Sequence, residues 1–568
     1  MTTTATDAQE LAPTRELSLL FTSDTHGCLT PTNYATGTAG AACVADFSEE
    51  LERMRATGPT LFLDGGDSLQ GTPLLRFWLA GGDDDAEGHR ANPTAGDALA
   101  SAEADAPSQR PAPIPAFNPV AAAFGAMRLD AFTLGNHDFN YGRELLADHL
   151  RAMSDAGAVC VCANVRDARG ELALQPHVVF ERDGLRIGVT GVVTDYVTVW
   201  EAPEHLTNLT IRNAVEAARE QASILRETCD VTICLYHGGF EEDLASGRLL
   251  SSTTENQACA IARTCDFDVL LTGHQHKPVA EARLGDTLAA QPPANAFGAV
   301  RVDVSAEGRD GCGGRADERP TVRAASRLVA PCADDRSPEG NRALAALAPL
   351  DAACAAWLNA SVGTLSHAYP AQGKLDAALH GDALADLINE AQLEASSALI
   401  SCTSLGNDPI GLPAEVTRRD ICAAYRFMNT LMVVEVTPGQ LKQALERCAT
   451  YLELDESGAV RVSSAFLEPK VEHYNYDFYR GISYTVDLTR PIGERVVHME
   501  LADGTPLPAR IALALNDYRA SGTGGYEVFT GCKLLSTLPD SVPVLLERYI
   551  AAHPSCDVHP RGGVTWSR

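Results

Sequence analysis

Short apolar runs and segments with helical spacing alternate along the first half of this 568-residue chain. Runs of this kind are typical of buried strands, and they lie at residues 17–22, 61–63, 130–134, 231–236 and 268–272. Strands that alternate with helices favour a layered α/β domain over separate helical and sheet layers. The pattern therefore predicts an α/β domain over residues 17–335, preceded by a disordered tail over residues 1–16.

The second half of the chain carries a similar mixture of patterns. Helices are expected at residues 381–394 and 437–448, and strands at 432–436, 482–487 and 511–515. A chain of this length favours two domains. We therefore expect a linker helix over residues 336–359 and a second domain over residues 360–568.

One stretch of the first half breaks the α/β pattern. Residues 81–117 consist largely of Ala, Asp, Gly and Pro, and they contain too little apolar surface to fold alone. The sequence predicts a solvent-exposed insertion there.

Charge and composition narrow the classes of partner. The formal net charge is -30, which disfavours a nucleic-acid polymer, although metal cations would make a small anionic substrate acceptable. The sequence predicts neither a membrane span nor a signal peptide. Its sixteen cysteines lie mostly in apolar surroundings, as reduced thiols do. We therefore expect a cytoplasmic protein, with its oligomeric state left open.

Polar side chains with metal-binding chemistry follow each of the five apolar runs. They are Asp24, His26, Asp67, Asn136, His237, His274 and His276. In open α/β sheets, sites form beyond the carboxyl ends of the strands, so these side chains are expected to converge. Mixed carboxylate and imidazole ligands suit Mn, Zn, Fe or Co. Two such ions about 4 Å apart lower the pKa of a bound water and clamp a phosphate group, which predicts phosphoester chemistry.

The motifs that contain these residues resemble, in order, the five motifs of the calcineurin-like metallophosphoesterases. They are Asp24-x-His26, Gly66-Asp67-x-x-Gln70-Gly71, Gly135-Asn136-His137-Asp138, His237-Gly238-Gly239 and Gly273-His274-x-His276. The second half is similar to the C-terminal domain of the bacterial 5'-nucleotidase family. The segments that carry this similarity begin at His380, Tyr425, Tyr474 and Asn516. The resemblance implies an N-terminal four-layer αββα sandwich followed by a C-terminal α/β substrate-binding domain.

The resemblance also implies a role for individual residues. One divalent ion would be held by Asp24, His26, Asp67 and His276, and a second by Asp67, Asn136, His237 and His274. The implied catalytic residues are His137 and Asp138. Tyr476 and Tyr518 would sandwich the nucleobase, and Asn407 and Asn516 complete the expected substrate-binding set.

Two departures from the family pattern bear on the substrate. The 5'-nucleotidases usually read GNHEFD, with an Asp that supports the catalytic His, whereas this chain has Asn140 there. Their GGIR segment with its phosphate-binding Arg corresponds here to Leu405-Gly406-Asn407-Asp408. Both departures resemble the branch that hydrolyses 2',3'-cyclic nucleotides and then 3'-nucleotides. The alternatives are a 5'-nucleotidase or nucleotide-sugar hydrolase, a hydrolase of a sulfur-containing substrate, and a non-catalytic nucleotide-binding protein.

Overall fold

The structure is a computed structural model of the chain. It describes residues 14–81, 117–170, 172–201, 203–250, 253–308, 319–426, 429–467, 471–558 and 564–567. The predicted insertion over 81–117 lies outside these residues except for its two end positions, and so does the predicted tail up to residue 13. Residues 14–16 correct the predicted tail, because they are already part of the first strand and pair with residues 305–307.

The described residues form two compact units. Of the described residues, unit 1 includes those within 14–33, 39–78 and 117–352, and unit 2 includes those within 34–38 and 353–567. The strands up to residue 329 are β1 (Thr14–Thr22), β2 (Thr32–Asn33), β3 (Thr38–Ala39), β4 (Thr60–Asp64), β5 (Ala131–Phe132), β6 (Val159–Cys160), β7 (Val165–Asp167), β8 (His177–Arg182), β9 (Leu185–Val193), β10 (Leu209–Ile211), β11 (Val231–His237), β12 (Val269–Thr272), β13 (Val279–Leu284), β14 (Thr287–Gln291), β15 (Ala299–Glu307) and β16 (Thr321–Val329). The helices up to residue 358 are α1 (Ser48–Thr57), α2 (Pro73–Leu79), α3 (Pro119–Ala126), α4 (Gly142–Asp155), α5 (Val197–Trp200), α6 (Ala214–Thr228), α7 (Ala258–Thr264) and α8 (Pro338–Leu358).

Unit 1 is built around two six-stranded sheets, with strand orders β16-β15-β1-β4-β5-β6 and β13-β14-β12-β11-β9-β8. Alternate residues of β1, such as Leu19 and Phe21, pack in one buried cluster with Ile233 and Leu235 of β11, so the sheets lie face to face. Helices α1, α3 and α4 pack on the outer face of the first sheet, and α6 and α7 pack on the outer face of the second. This arrangement confirms the predicted αββα sandwich.

The central strands of both sheets are parallel. β1, β4, β5 and β6 run in one direction in the first sheet, as do β9, β11, β12 and β14 in the second. Parallel strands buried on both faces are expected to be continuously apolar, and β4 and β11 are buried along their whole length. Their carboxyl ends therefore share one edge of each sheet, where the metal-binding motifs follow.

Unit 2 is a second α/β unit, as the resemblance implies. Its strands are β17 (Ser361–Thr364), β18 (Ile400–Ser404), β19 (Glu415–Thr417), β20 (Thr430–Val436), β21 (Leu452–Leu454), β22 (Val460–Val462), β23 (Asp477–Arg480), β24 (Ile482–Asp487), β25 (Val496–Leu501), β26 (Ile511–Asn516), β27 (Lys533–Ser541) and β28 (Val564–Ser567). Its helices are α9 (Lys374–His380), α10 (Ala383–Ser396), α11 (Arg418–Ala424), α12 (Pro438–Ala449), α13 (Asp517–Ala520) and α14 (Val542–Ala552). A five-stranded sheet of order β23-β18-β26-β20-β27 forms its centre, and α10 and α14 pack against each other and against that sheet.

Sequence signals for helix ends agree with the helices of unit 2. Thr437 caps α12, its hydroxyl accepting a hydrogen bond from the backbone of Gln440 while the Gln440 side chain returns to Thr437. Asp382 caps α10 by accepting from the backbone N–H groups of Leu384 and Ala385. Among the described helices, none is both long and apolar enough to cross a membrane.

Candidate active site

Five loops that follow parallel strands bring the predicted ligands together in unit 1. Asp24 and His26 follow β1, Asp67 follows β4, and Asn136 follows β5 in the first sheet. The second sheet contributes His237 at the end of β11, and His274 and His276 after β12. Because the strand ends share an edge, residues separated by up to 250 positions become neighbours.

The backbone at this edge is strained at the ligand positions. Asp24, His26, Asp67, His274 and His276 have φ angles of 53°, 48°, 58°, 72° and 57°, in the left-handed region that side-chain-bearing residues seldom adopt. Neighbouring loops hold this conformation, since the N–H of Asp24 donates to the carbonyl of Gly66 at 2.9 Å and that of His26 to the carbonyl of Asp67 at 3.0 Å. Strain of this kind clusters at functional sites.

Close approach of two loops explains one glycine of the motifs. A Cβ atom at Gly135 would lie 2.1 Å from the Asp67 Oδ1 atom and 2.4 Å from its backbone nitrogen. Any side chain there would displace Asp67, so the site needs glycine at this position.

The first donor group consists of Asp24, His26 and His276, whose ligand atoms lie within 4.8 Å of one another. The Nε2 atoms of His26 and His276 are 3.0 Å apart, and the Nε2 atom of His276 is 3.3 Å from the Asp24 Oδ1 atom. Three donor atoms thus face one point, as a cation requires.

The second donor group consists of Asp24, Asp67 and His237, all of them buried. The Nε2 atom of His237 lies 3.2 Å from Asp67 Oδ2 and 3.2 Å from the side-chain oxygen of Asn136. That oxygen is also 2.9 Å from the Nδ1 atom of His274, so Asn136 and His274 lie next to the group. The Nδ1 atom of His237 donates to the carbonyl of Gly65 at 2.7 Å, which directs Nε2 toward the donors.

The electrostatics of the two groups favour a bound cation. Burial raises the pKa of Asp24 and Asp67, but the neighbouring His237 lowers both well below the ordinary range, so the carboxylates are ionised. Burial alone would lower the pKa of His237, whereas Asp67 and Asp24 raise it to about 10, so a cation that binds His237 would displace its proton. Burial and the neighbouring His276 hold the pKa of His26 at about 4, so His26 is a neutral donor. Two ionised carboxylates, neutral imidazole and an amide oxygen fit a divalent cation such as Mn, Zn, Fe or Co.

His137 lies beside these donor groups. Its ring is 5.7 Å from the ring of His26, and its backbone N–H donates to Asp67 Oδ1 at 2.7 Å. The Nδ1 atom of His137 is 2.7 Å from the side-chain oxygen of Asn140, the residue that replaces the family's Asp. The structure thus places His137 where it can reach a group bound by the donors.

Asp138, the second predicted catalytic residue, is surrounded by backbone N–H groups. It is buried, and its carboxylate accepts hydrogen bonds from the backbone N–H groups of Asp67, Ser68, Leu69 and Gly135, at 2.8–3.2 Å. Burial and the nearby Asp67 raise the pKa of Asp138 to about 6. These contacts favour a positioning role, in which Asp138 shapes the loop that presents Asp67.

The two tyrosines expected to bind the base have different surroundings in unit 2. Tyr518 is 37% exposed, whereas Tyr476 is only 4% exposed, packs against Tyr451 at 4.6 Å and donates its hydroxyl to the carbonyl of Ala378. The sequence missed Tyr474, which is half-buried and, together with burial, raises the pKa of Tyr518. Tyr476 thus packs in the core, whereas Tyr474 lies near Tyr518, because the adjacent Arg519 donates to the Tyr474 carbonyl at 3.1 Å.

The two predicted substrate-binding asparagines also differ. Asn516 is buried and caps α13, accepting from the backbone of Arg519 at 2.8 Å and donating to the Tyr425 hydroxyl at 3.3 Å. Both polar atoms of the Asn516 side chain are therefore hydrogen-bonded within unit 2. Asn407 donates to the carbonyl of Val471, and its side-chain oxygen has no hydrogen-bond partner among the described residues. Of the two, Asn407 is the one that retains a free acceptor.

Comparisons with known proteins agree with the two units. Residues 17–278 match the calcineurin-like phosphoesterase family, and residues 361–531 match the 5'-nucleotidase C-terminal domain family. The chain is 24% identical to the trifunctional nucleotide phosphoesterase protein YfkN of Bacillus subtilis over 98% of its own length, but it spans only 39% of that relative. It is also 24% identical to the 2',3'-cyclic-nucleotide 2'-phosphodiesterase/3'-nucleotidase of Haemophilus influenzae, covering 97% of this chain and 87% of the relative.

Solved structures show the same fold. A Staphylococcus aureus protein described as a candidate 5'-nucleotidase matches with a TM-score of 0.78 and 27% identity, over 98% of this chain and 100% of that one. A 5'-nucleotidase precursor from Thermus thermophilus matches with a TM-score of 0.57 and 20% identity, over 97% and 99% of the two chains.

Proposed function

Because the chain joins a calcineurin-like phosphoesterase domain to a 5'-nucleotidase C-terminal domain, we propose that it is a metal-dependent hydrolase of nucleotides. The proposed substrates are 2',3'-cyclic nucleotides, which are opened to 3'-nucleotides, and the 3'-nucleotides themselves, which are cleaved to nucleoside and phosphate. The observation that carries the proposal is the convergence of carboxylate, imidazole and amide donors beside His137.

The proposed metal centre holds two divalent ions. The first would be bound by Asp24, His26 and His276, and the second by Asn136, His237 and His274, with Asp67 shared between them. Ions bound there would neutralise phosphate charge and lower the pKa of a bound water. A complete donor set with His137 intact argues against a non-catalytic nucleotide-binding protein.

The residues of the chain then serve two successive displacements. In the first, water adds to phosphorus, the bond from phosphorus to the 2' oxygen breaks, and a proton goes to that oxygen. In the second, the bond from phosphorus to the 3' oxygen breaks in the same way. With Nδ1 directed at Asn140, His137 has Nε2 available to hold the proton that the leaving oxygen takes up.

The choice of cyclic and 3' substrates is supported by two features. Asn140 stands where the 5'-nucleotidases have Asp, and residues 405–408 contain no Arg. Relatives from Haemophilus influenzae, Salmonella typhimurium and Yersinia enterocolitica that align with 95–98% of this chain are named for the cyclic and 3' activities. A 5'-nucleotidase is the second candidate, supported by the structural match to the Staphylococcus aureus protein.

Base recognition is proposed for unit 2. Tyr518 is exposed enough to stack on a nucleobase, and Tyr474 is its half-buried neighbour. Stacking on an aromatic ring depends weakly on the identity of the base, so broad base tolerance is expected.

Parallel hydrolysis assays test the proposal. Chain loaded with Mn²⁺ is incubated with 2',3'-cyclic AMP, 3'-AMP and 5'-AMP, with His137→Ala as the inactive control. Higher kcat/KM for the first two substrates supports the proposal. Preference for 5'-AMP would select the second candidate, and no phosphate release from any of the three would reject nucleotide hydrolysis.

A further inference from the structure

A line of hydrogen bonds extends from His137 away from the donor groups. Its Nδ1 atom is 2.7 Å from Asn140 Oδ1, and Asn140 Nδ2 donates to Glu201 Oε2 at 2.7 Å. The other carboxylate oxygen, Glu201 Oε1, lies 2.8 Å from the Nδ1 atom of His205. The Glu201 side chain is only 6% exposed, and both of its carboxylate oxygens are within hydrogen-bond distance of a protein side chain.

The chemistry of a carboxylate decides the direction of each bond. An ionised carboxylate only accepts, so the amide of Asn140 must direct its NH₂ toward Glu201 and its oxygen toward His137. That oxygen also only accepts, so the proton of His137 must lie on Nδ1. The reversed amide would place NH₂ against Nδ1 and favour the other tautomer.

We infer that Glu201 is a positioning residue for catalysis, which acts through Asn140 to fix the orientation and tautomer of His137. The inference rests on the proposed function for its catalytic consequence. In this chain Glu201 supplies, one hydrogen bond further out, the negative charge that the usual family pattern places directly beside the catalytic His. Nε2 of His137 is then the nitrogen left for the leaving oxygen.

The segment that carries Glu201 is itself held in place. The backbone N–H of Glu201 donates to the carbonyl of Val197 at 2.9 Å and ends helix α5. The preceding residue, Trp200, stacks on the ring of His274 with 5.3 Å between the centroids. The C-terminal end of α5 therefore contacts Asn140 through Glu201 and the donor residue His274 through Trp200. These two contacts hold Glu201 in position beside Asn140.

A charge exchange tests the inference. Glu201→Gln lets the Asn140 amide reverse, and we expect kcat to fall about 10- to 100-fold with KM nearly unchanged, as for other residues that orient a functional His. Asn140→Asp alone would put two carboxylates at hydrogen-bond distance from each other, so it should also lower kcat. The double variant Asn140→Asp/Glu201→Gln restores complementarity, because the introduced amide can donate to the introduced carboxylate, which then accepts from His137. We expect it to recover at least about tenfold in kcat over Glu201→Gln.

The control variant is Glu204→Gln, which removes an exposed carboxylate nearby and should leave kcat at the wild-type level. Circular dichroism melting of every variant separates misfolding from loss of positioning. A double variant no faster than Glu201→Gln, with both folded, would overturn the inference, because a packing role gives no recovery by charge exchange.

A second readout does not need catalysis. In protein labelled with ¹⁵N-histidine, the His137 signals, assigned by their loss in His137→Ala, should show the Nδ1–H tautomer in the wild type and a mixture of tautomers in Glu201→Gln. If the wild type hydrolyses no nucleotide, the proposed function fails while these spectra still decide the role of Glu201. Spectra unchanged by Glu201→Gln would contradict the inference directly.

Discussion

The ion pair between Asp477 and Arg519 leads to a quantitative prediction about unit 2. Arg519 Nη2 lies 2.7 Å from Asp477 Oδ1, and the two side chains are 3% and 2% exposed respectively. Arg519 also donates to the carbonyls of Thr523 at 2.8 Å and Tyr474 at 3.1 Å, and it lies 4.1 Å from the ring centroid of Tyr526. The pair thus fixes the segment that contains Tyr474.

Removing either partner leaves an unmatched charge, but the two cases differ. In Asp477→Asn the guanidinium stays charged because it does not titrate, so the free energy of unfolding should fall by about 3–5 kcal/mol at any pH near neutrality. In Arg519→Met the carboxyl of Asp477 can take up a proton instead. Burial already raises the pKa of Asp477, and Arg519 lowers it more than Arg447 and Tyr526 do.

The sign of the pH dependence follows from that difference. Without Arg519, the folded state holds a proton on Asp477 that the unfolded state loses near pH 4, so stability falls as the pH rises. The slope is about 1.4 kcal/mol per pH unit, which gives up to about 2.7 kcal/mol between pH 5.5 and 7.5. Arg519→Met should therefore be closer to the wild type at pH 5.5 than at pH 7.5.

Urea unfolding followed by tryptophan fluorescence at both pH values measures these differences. Glu527→Gln, which neutralises an exposed carboxylate of the same unit, is the matched control and should stay within about 0.5 kcal/mol of the wild type. A loss for Asp477→Asn below about 1 kcal/mol, or an equal loss for Arg519→Met at both pH values, would refute the reasoning.

Three other predictions follow from individual contacts. Burial lowers the pKa of His149 to about 3, and Asn118 hydrogen-bonds its Nδ1 atom at 3.1 Å. Because only the unfolded state takes up a proton on His149 below about pH 6.5, the folded state loses stability as the pH falls. His149→Phe should remove about 2 kcal/mol of that loss between pH 7.5 and 5.0 in urea titrations. Asp138→Asn should weaken Mn²⁺ binding about 10- to 100-fold in calorimetric titration, because the new NH₂ group would face backbone N–H donors that now bind the carboxylate. Unchanged affinity would reject the positioning role of Asp138. Tyr518→Ala should raise KM for nucleotides about tenfold or more, whereas Tyr476→Phe should leave KM unchanged; the reverse result would restore Tyr476 as the base-binding residue.

The convergence of the candidate donor residues could be predicted from the sequence because their signal is local. Each ligand follows a short apolar run directly, and parallel strands must present their carboxyl ends at a common edge. Asp24, Asp67 and His237 could therefore be assigned to one place before any distance was known. Helix caps such as Thr437 are equally local, and α12 begins at Pro438 directly after it.

The remaining features depend on contacts that no local pattern encodes. Asp138 binds backbone groups about 70 positions away along the chain, and Glu201 lies 61 positions from Asn140. Tyr474 and Tyr476 are separated by one residue in the sequence, and Tyr476 is the one that packs against Tyr451 and is buried. Long-range burial, which the sequence pattern does not contain, accounts for each of these differences.

Metal reconstitution tests the central claim most directly. The chain is stripped with a chelator and titrated with Mn²⁺, while bound metal is measured by mass spectrometry and phosphate release from 3'-AMP is followed in the same samples. We predict no hydrolysis without metal and activity that saturates at two ions per chain, with His237→Ala binding fewer ions and remaining inactive. Full activity in the stripped protein, or metal binding that leaves hydrolysis unchanged, would contradict the account.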